Sequence, residues 1–340
     1  MSFEIAVQAA DNFCSRGAAF KKAFNRKKLS MNNTAPAPSL RLKRFSSADE
    51  FEPAWNLNVN FTPLQVKITA ANITFSLPGC DVTVVHSFPR LSDGAVRPNR
   101  TLVGFLMDDG APVKFNGVDD GHCIIVIGSG GAEYSLTERT PRQLAMISFH
   151  PEIRDRGWPT RDGIIGGFRT SLSAHRRLQR LVSEMISTAQ NSADPSWHEL
   201  SSLSLRESLL TAIDAACDDR ADAKWLTGPN AIGQFKIFKA IESAIASDLG
   251  RPIYSEDLAR RLGMSIRTLH NAVKRYRGMS LHKYLRLRRL WLVRQQLLAG
   301  STSVKIAALT FGFWHLSDFS GSYRAAFGEL PSETLTRRRR

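Results

Sequence analysis

The chain has 340 residues, 43% hydrophobic and 23% charged, an ordinary globular composition with enough apolar material for two or three cores. Its formal net charge of +15 suggests a polyanionic partner, either nucleic acid or an anionic membrane surface. No stretch approaches the roughly 18 consecutive apolar residues of a spanning helix, so no transmembrane segment is expected.

The charge is segregated. From Arg251 to Arg340 there are 18 Lys and Arg against 5 Asp and Glu, a net of +13. Residues 1–46 carry a net of +7, and the middle of the chain a net of −5. A polyanion would therefore be met by the ends. The cysteines Cys14, Cys80, Cys123 and Cys217 are far apart and show no C-x-x-C spacing. A disulfide framework is not expected, and a reducing cytoplasm is the simplest reading.

Residues 1–46 read as a basic, disordered extension, or as the product of a start codon placed upstream of Met31. Within them, residues 31–46 read as a linker rich in Pro, Ala and Asn. A folded domain is expected over 47–220. From Trp55 to Phe149 short β-type runs alternate with turn signals, which predicts a β-sandwich or barrel. The runs include Gln65–Thr69, Asp81–His86, Leu102–Leu106 and Cys123–Ile127. The turns are Pro78-Gly79, Asp93-Gly94, Asp109-Gly110, Asn116-Gly117 and Gly128–Gly131. Asn116-Gly117 is the clearest hairpin turn.

Residues 170–220 change to helical period. Leu178, Val182, Met185 and Ile186 form one apolar stripe, and Leu209, Leu210 and Ile213 a second. A break at Ser192–Pro195 makes them a pair that packs on the β-domain or on a second subunit. A linker is expected over 221–234.

Beyond it, Ser255 is expected to cap a helix with Glu256 and Asp257 in its first turn. Gly263 breaks that helix and Ser265 caps the next, with Ile266, Leu269 and Val273 inside. Helix, glycine turn, helix is the signature of a helix-turn-helix unit. The second helix turns Arg267, His270, Asn271 and Lys274 outward, hydrogen-bonding side chains suited to the major groove. The pattern recurs with Ser303–Leu309, a turn at Phe311-Gly312-Phe313, and a helix from Leu316 to Phe327. Between the units a long basic helix, Leu281 to Leu298, carries Arg286, Arg288, Arg289 and Arg294. It is read as a spacer holding two heads at a fixed distance, with its arginines either facing phosphate or simply solvated.

Residues 235–335 resemble the DNA-binding domain of the AraC/XylS family of regulators. The resemblance runs through Leu258-Ala259, Gly263-Met264-Ser265, Arg267-Thr268-Leu269, Gly278-Met279-Ser280, Ile306-Ala307, Phe311-Gly312-Phe313, Phe319-Ser320, Phe327-Gly328 and Pro331-Ser332. It implies DNA contacts from Ser265, Arg267, Thr268, His270, Asn271 and Lys274 in the first recognition helix. In the second it implies contacts from His315, Leu316, Ser317, Ser320, Gly321 and Arg324. Three departures stand out: Asn271 where the family usually has Arg, Val273 in place of an aromatic, and Gly321 in place of a basic residue. The second helix is therefore expected to position the protein through phosphate contacts more than to read bases. Residues 336–340 read as a basic tail.

The β-rich segment and its helical pair are similar to the cupin-like sensor domains of part of this family, on Trp55, the Pro112–Gly117 hairpin and Glu133-Tyr134. The fold expected is α+β: an N-terminal cupin-like barrel with a helical pair, then an all-α double helix-turn-helix domain. The resemblance implies an effector-responsive activator, not an enzyme. Its partners would be double-stranded promoter DNA, RNA polymerase, a small-molecule effector and a second copy in a homodimer, with no membrane. No catalytic residue, cofactor or metal site is expected: His86, His122 and His150 are isolated, and Gly128–Gly131 lacks the Lys of a phosphate loop. The effector-binding residues are not identified, although His86, Arg97, Arg100 and Phe105 are candidates for lining a pocket. Two other readings stay open: a cupin-type enzyme fused to a DNA-targeting module, and an architectural DNA binder with an inert sensor.

Overall fold

The computed structural model describes residues 39–53, 57–120, 122–151, 156–191, 199–219, 230–247, 253–300 and 303–337. The expectations for residues 1–38, Trp55, the break at 192–195, the linker over 221–229 and the tail from 338 lie outside these residues.

The β-domain begins earlier than the sequence suggested. Residues 39–46, assigned above to the extension, form most of strand β1 (Ser39–Ser47), which pairs antiparallel with β3 (Lys67–Leu77). Leu40 and Leu42 alternate along β1 and pack on the main core, while Phe45 joins a separate cluster with Phe51 and Phe88. The other strands are β2 (Leu57–Pro63), β4 (Cys80–His86), β5 (Arg90–Val96), β6 (Thr101–Leu106), β7 (Val113–Phe115), β8 (Val118–Asp120), β9 (Ile124–Ser129), β10 (Glu133–Glu138), β11 (Gln143–Phe149) and β12 (Gly166–Arg169). Among the described residues they form two antiparallel sheets that do not close into one barrel. The larger has the order β1-β3-β4-β11-β6-β9-β12 and the smaller β2-β5-β10-β7-β8.

The larger sheet is covered on both faces, so β4 and β6 are buried almost throughout, β4 even at its polar Asp81 and Thr83. On one face Val82, Val84, Val103, Ile147 and Phe149 pack under helices α1 (Leu172–Asn191) and α2 (Glu199–Asp218). The apolar stripes of both helices, including Leu178, Val182, Leu209 and Ile213, are spent on this contact. On the other face Leu102, Leu106, Leu144 and Met146 meet Tyr134 and Leu136 of the smaller sheet.

Two turn signals resolve differently. Asn116 and Gly117 both have positive φ, 46° and 79°, and join β7 to β8 as a tight hairpin. Asp93-Gly94 is not a turn but lies inside β5. A Cβ on Gly94 would lie 2.5 Å from the Asn58 carbonyl oxygen and 2.8 Å from the Tyr134 ring, so close strand packing, not bending, requires glycine there.

The C-terminal region is helical: α3 (Ala231–Ala246), α4 (Ser255–Leu262), α5 (Ile266–Arg277), α6 (Leu281–Ala299), α7 (Val304–Thr310), α8 (Leu316–Phe327) and α9 (Pro331–Arg337). Helix α3 begins inside the linker expected over 221–234, and α9 runs past residue 335. Two cores result. Ile241, Leu258, Leu269 and Val273 surround the first half of α6 through Leu281 and Leu285; Ala307, Phe319 and Tyr323 surround its second half through Leu290, Val293 and Leu297. With 19 residues, α6 is about 28 Å long and spans both.

The helical region lies on the outer face of the smaller sheet. Leu91 of β5 enters the first helical core and Val66 the second, while Ile164 packs with Phe235, Phe238 and Tyr276. The order of layers is therefore helical region, smaller sheet, larger sheet, helix pair.

Candidate nucleic-acid interface

Local chemistry sets both helix pairs. Helix α4 ends at Gly263 in the left-handed region, φ 62°, and two residues later the Ser265 hydroxyl accepts from the Thr268 amide at 3.1 Å to start α5. Ser255 is not the cap of α4 but its first residue; Tyr254 holds the cap position without a side-chain bond. In the second pair Ser303 caps α7 through the Ile306 amide, and Gly312 at φ 75° makes the turn before α8.

The outward residues of α5 divide clearly. Ser265, Arg267, Asn271 and Lys274 are exposed; Thr268 and His270 are half-buried. Leu269, Ala272 and Val273 are buried beneath them. Val273, where the family usually has an aromatic, is wholly inside. On α8 and its approach, His315, Leu316, Ser317, Gly321 and Arg324 are exposed and Ser320 is half-buried. The Ser320 hydroxyl donates to the Leu316 carbonyl at 2.9 Å, which occupies its proton within the helix.

The arginines of α6 are not simply a solvated face, for each is tied to another element. Arg294 is fully buried and bonded to Glu329, Asp49 and Thr334. Arg288 donates to Thr62 of β2 at 2.8 Å, and Arg286 to Ser322 of α8 at 2.6 Å. The Arg289 guanidinium lies 5.2 Å from the Tyr254 ring ahead of α4 and 5.0 Å from the Phe313 ring ahead of α8, so it bridges the two pairs.

Helix α5 ends in a second buried arginine. Arg277 is ion-paired to Asp93 of β5, lies 3.7 Å from the Glu242 carboxylate of α3, and donates to the Ser135 hydroxyl at 3.1 Å. Its guanidinium lies 4.7 Å over the Phe238 ring. The Asn116-Gly117 hairpin rests on the same helix end, where a Cβ on Gly117 would lie 2.9 Å from Arg275. Sequence reasoning missed all of these ties, and it also missed Trp314, which is 70% exposed at the entrance to α8.

Between the two sheets lies a cavity of about 120 Å³ with Val59, Ser92, Tyr134, Leu136, Leu102 and Met146 among its lining residues. Of the four residues proposed from sequence to line a pocket, Phe105 does; His86, Arg97 and Arg100 do not. Arg90 reaches the lining but is paired with buried Glu138 at 2.6 Å. Burial pushes the Tyr134 hydroxyl up to about 12, so it stays a neutral polar group at physiological pH. No helix among the described residues is long and apolar enough to cross a membrane.

Residues 258–337 match the family described as a helix-turn-helix domain. An activator of the XylDLEGF operon from Pseudomonas putida is 38% identical over 105 residues, 30% of this chain and 32% of its own length. The chain carries an AraC/XylS-type helix-turn-helix domain. The transcriptional activator RhaS of Pectobacterium carotovorum is 35% identical over 83 residues, covering 23% of this chain and 30% of that protein. A solved structure of a probable AraC family transcriptional regulator from Rhodopseudomonas palustris CGA009 is 37% identical over 30% of this chain and 97% of its own, with a TM-score of 0.28. These relatives are regulators by name. The chain spans about a third of the length of the curated relatives it matches, and the match lies in the AraC/XylS-type domain.

Proposed function

We propose that the protein is an effector-responsive transcription activator that binds promoter DNA through both helix pairs. The observation that carries this reading is the outward face of α5. A capped helix presents Arg267, Asn271 and Lys274 to solvent over a fully buried opposite face, in a region of net charge +13. A helix in the major groove needs such a face, and a polyanion needs such a charge. The cavity between the sheets supports effector control. Its size suits one small molecule, and its lining suits a weakly polar aromatic or branched one. The family resemblance adds RNA polymerase as a partner, the bacterial cytoplasm as the location, and a homodimer. The apolar faces of α1 and α2 are already committed to the larger sheet. A second copy would therefore meet their polar side, where Arg176, Arg177 and Arg180 are exposed.

The test is selection of binding sites from random duplex DNA with the full chain. One enriched motif is expected. Arg267→Ala should cost about 1–3 kcal/mol and relax preference at one base position, while Ser320→Ala should cost little. Binding without enrichment that merely weakens with salt would replace this reading with a nonspecific DNA binder.

A further inference from the structure

Two features of α8 and its approach have no use inside the fold. Trp314 is 70% exposed, the most exposed of the large hydrophobic residues described. Leu316, 37% exposed, follows it at the helix start. An indole left in water forgoes most of the free energy its burial would bring, which points to a surface completed by something else. The second feature is Gly321. It lies in the middle of α8, where glycine is a poor helix former. A Cβ there would meet nothing within 4 Å, so no packing neighbour excludes a side chain. Glycine in an open helix position serves close approach of the backbone to a partner.

The occupant is indicated by charge and by chemistry. The exposed face of α8 bears Arg324 against the single acid Asp318 in the first turn, and the preceding α7 exposes Lys305, in a C-terminal region of net charge +13. The middle of the α8 face has few free hydrogen-bonding groups, since Gly321 has no side chain and the Ser320 proton is taken by Leu316, while His315, Ser317 and Arg324 are exposed toward its ends. The apolar part of this surface, Trp314 with Leu316, has nothing to offer the donors and acceptors of a base pair except the indole N–H. It can recognise the one apolar mark in the major groove, the C5-methyl group of thymine.

We propose that Trp314 reads thymine by apolar contact with its methyl group, and that Gly321 lets α8 seat close enough to the groove for this to happen. The second helix pair then has a specificity of its own, beyond the positioning role expected from its sequence. The proposal rests on the DNA-binding reading above.

The experiment uses the full chain and the duplex selected by it, with each thymine replaced in turn by deoxyuridine, which removes only the methyl. At one or two thymines of the half-site not affected by Arg267→Ala, the native chain should lose about fourfold in affinity, the value of one buried methyl. Trp314→Ala should abolish the difference between thymine and uracil there, and Trp314→Phe should keep most of it. Neither substitution should move the unfolding midpoint, because the ring is exposed. Gly321→Ala should raise thermal stability and weaken DNA binding. Equal binding of all deoxyuridine duplexes, or discrimination that persists in Trp314→Ala, overturns the proposal while leaving the DNA-binding reading intact. Loss of transcription with unchanged discrimination does so too, and assigns the patch to a protein partner. Failure of the native chain to select any site removes both.

Discussion

The two helix pairs are built alike and fastened alike, but they present different faces. Each is fixed by one buried arginine held between a carboxylate of the β-domain and a carboxylate of the helical region. Arg277 joins Asp93 to Glu242; Arg294 joins Asp49 to Glu329. Outward, α5 offers Arg267, Asn271 and Lys274 along one face, whereas α8 and its approach add an exposed indole, Trp314, and a bare backbone position, Gly321, to His315, Ser317 and Arg324. Orientation is thus a shared property of the pairs and readout an individual one. A buried cation stripped of water is tolerable only with its partners in place, so each arginine makes docking close to all-or-none.

The fastenings differ in redundancy. Arg337 also contacts Asp49 and Glu329, whereas Arg277 is the one cation ion-paired to Asp93 and Glu242 among the described residues. The largest effect is therefore expected from Arg277→Ala. It strands two largely buried carboxylates and should cost about 3–5 kcal/mol in urea unfolding of the full chain. A loss below about 1 kcal/mol would mean the contact is dispensable. Arg294→Ala should cost less, about 1–3 kcal/mol, because Arg337 still faces both carboxylates. Adding Arg337→Ala should then exceed the sum of the single losses, and simple additivity would refute the idea of a reserve cation. Next in size is Gly117→Ala, which forces a side chain into positive φ against Arg275 and should cost about 1–3 kcal/mol.

The smallest effect is a control remote from both arginines. Burial holds the His175 imidazole below its ordinary pKa of 6.5, while its Nε2 donates to the Leu106 carbonyl at 3.1 Å. The native state keeps this ring neutral, so below 6.5 the unfolded chain takes up a proton first. Stability should fall between 6.5 and the lower native value. His175→Gln should flatten that fall in urea midpoints measured across the window, and the arginine variants should leave it unchanged.

The contrast between the outward faces was largely legible in the sequence; the fastenings were not. Glycines at turns and serines at caps act over three or four residues, so both helix pairs could be read directly, and Asn116-Gly117 likewise. Short β-type runs bounded by turn signals marked β4, β6 and β9. Arg277 and Arg294, by contrast, take their meaning from carboxylates 184 and 245 residues away. An arginine in a basic helix looks the same whether it faces water or a distant Asp. Gly94 misled for a related reason: its glycine answers a neighbouring strand and a tyrosine ring, not the local chain direction. Trp314 was passed over because its surroundings, the Phe311–Phe313 turn and Phe319, are core, and nothing local distinguishes an exposed aromatic among buried ones.

The smaller sheet has two readerships. Along β5 and β10 the side chains alternate: Ser92, Tyr134 and Leu136 line the cavity, while Asp93, Ser135 and Thr137 touch Arg277 or the end of α5. Consecutive residues thus answer to different audiences, one inside the β-domain and one at the recognition helix, separated only by the thickness of a single backbone. A message crossing that layer requires no chain of intermediaries. The same economy limits evolutionary drift: a one-residue insertion in either strand would exchange the two audiences at a stroke.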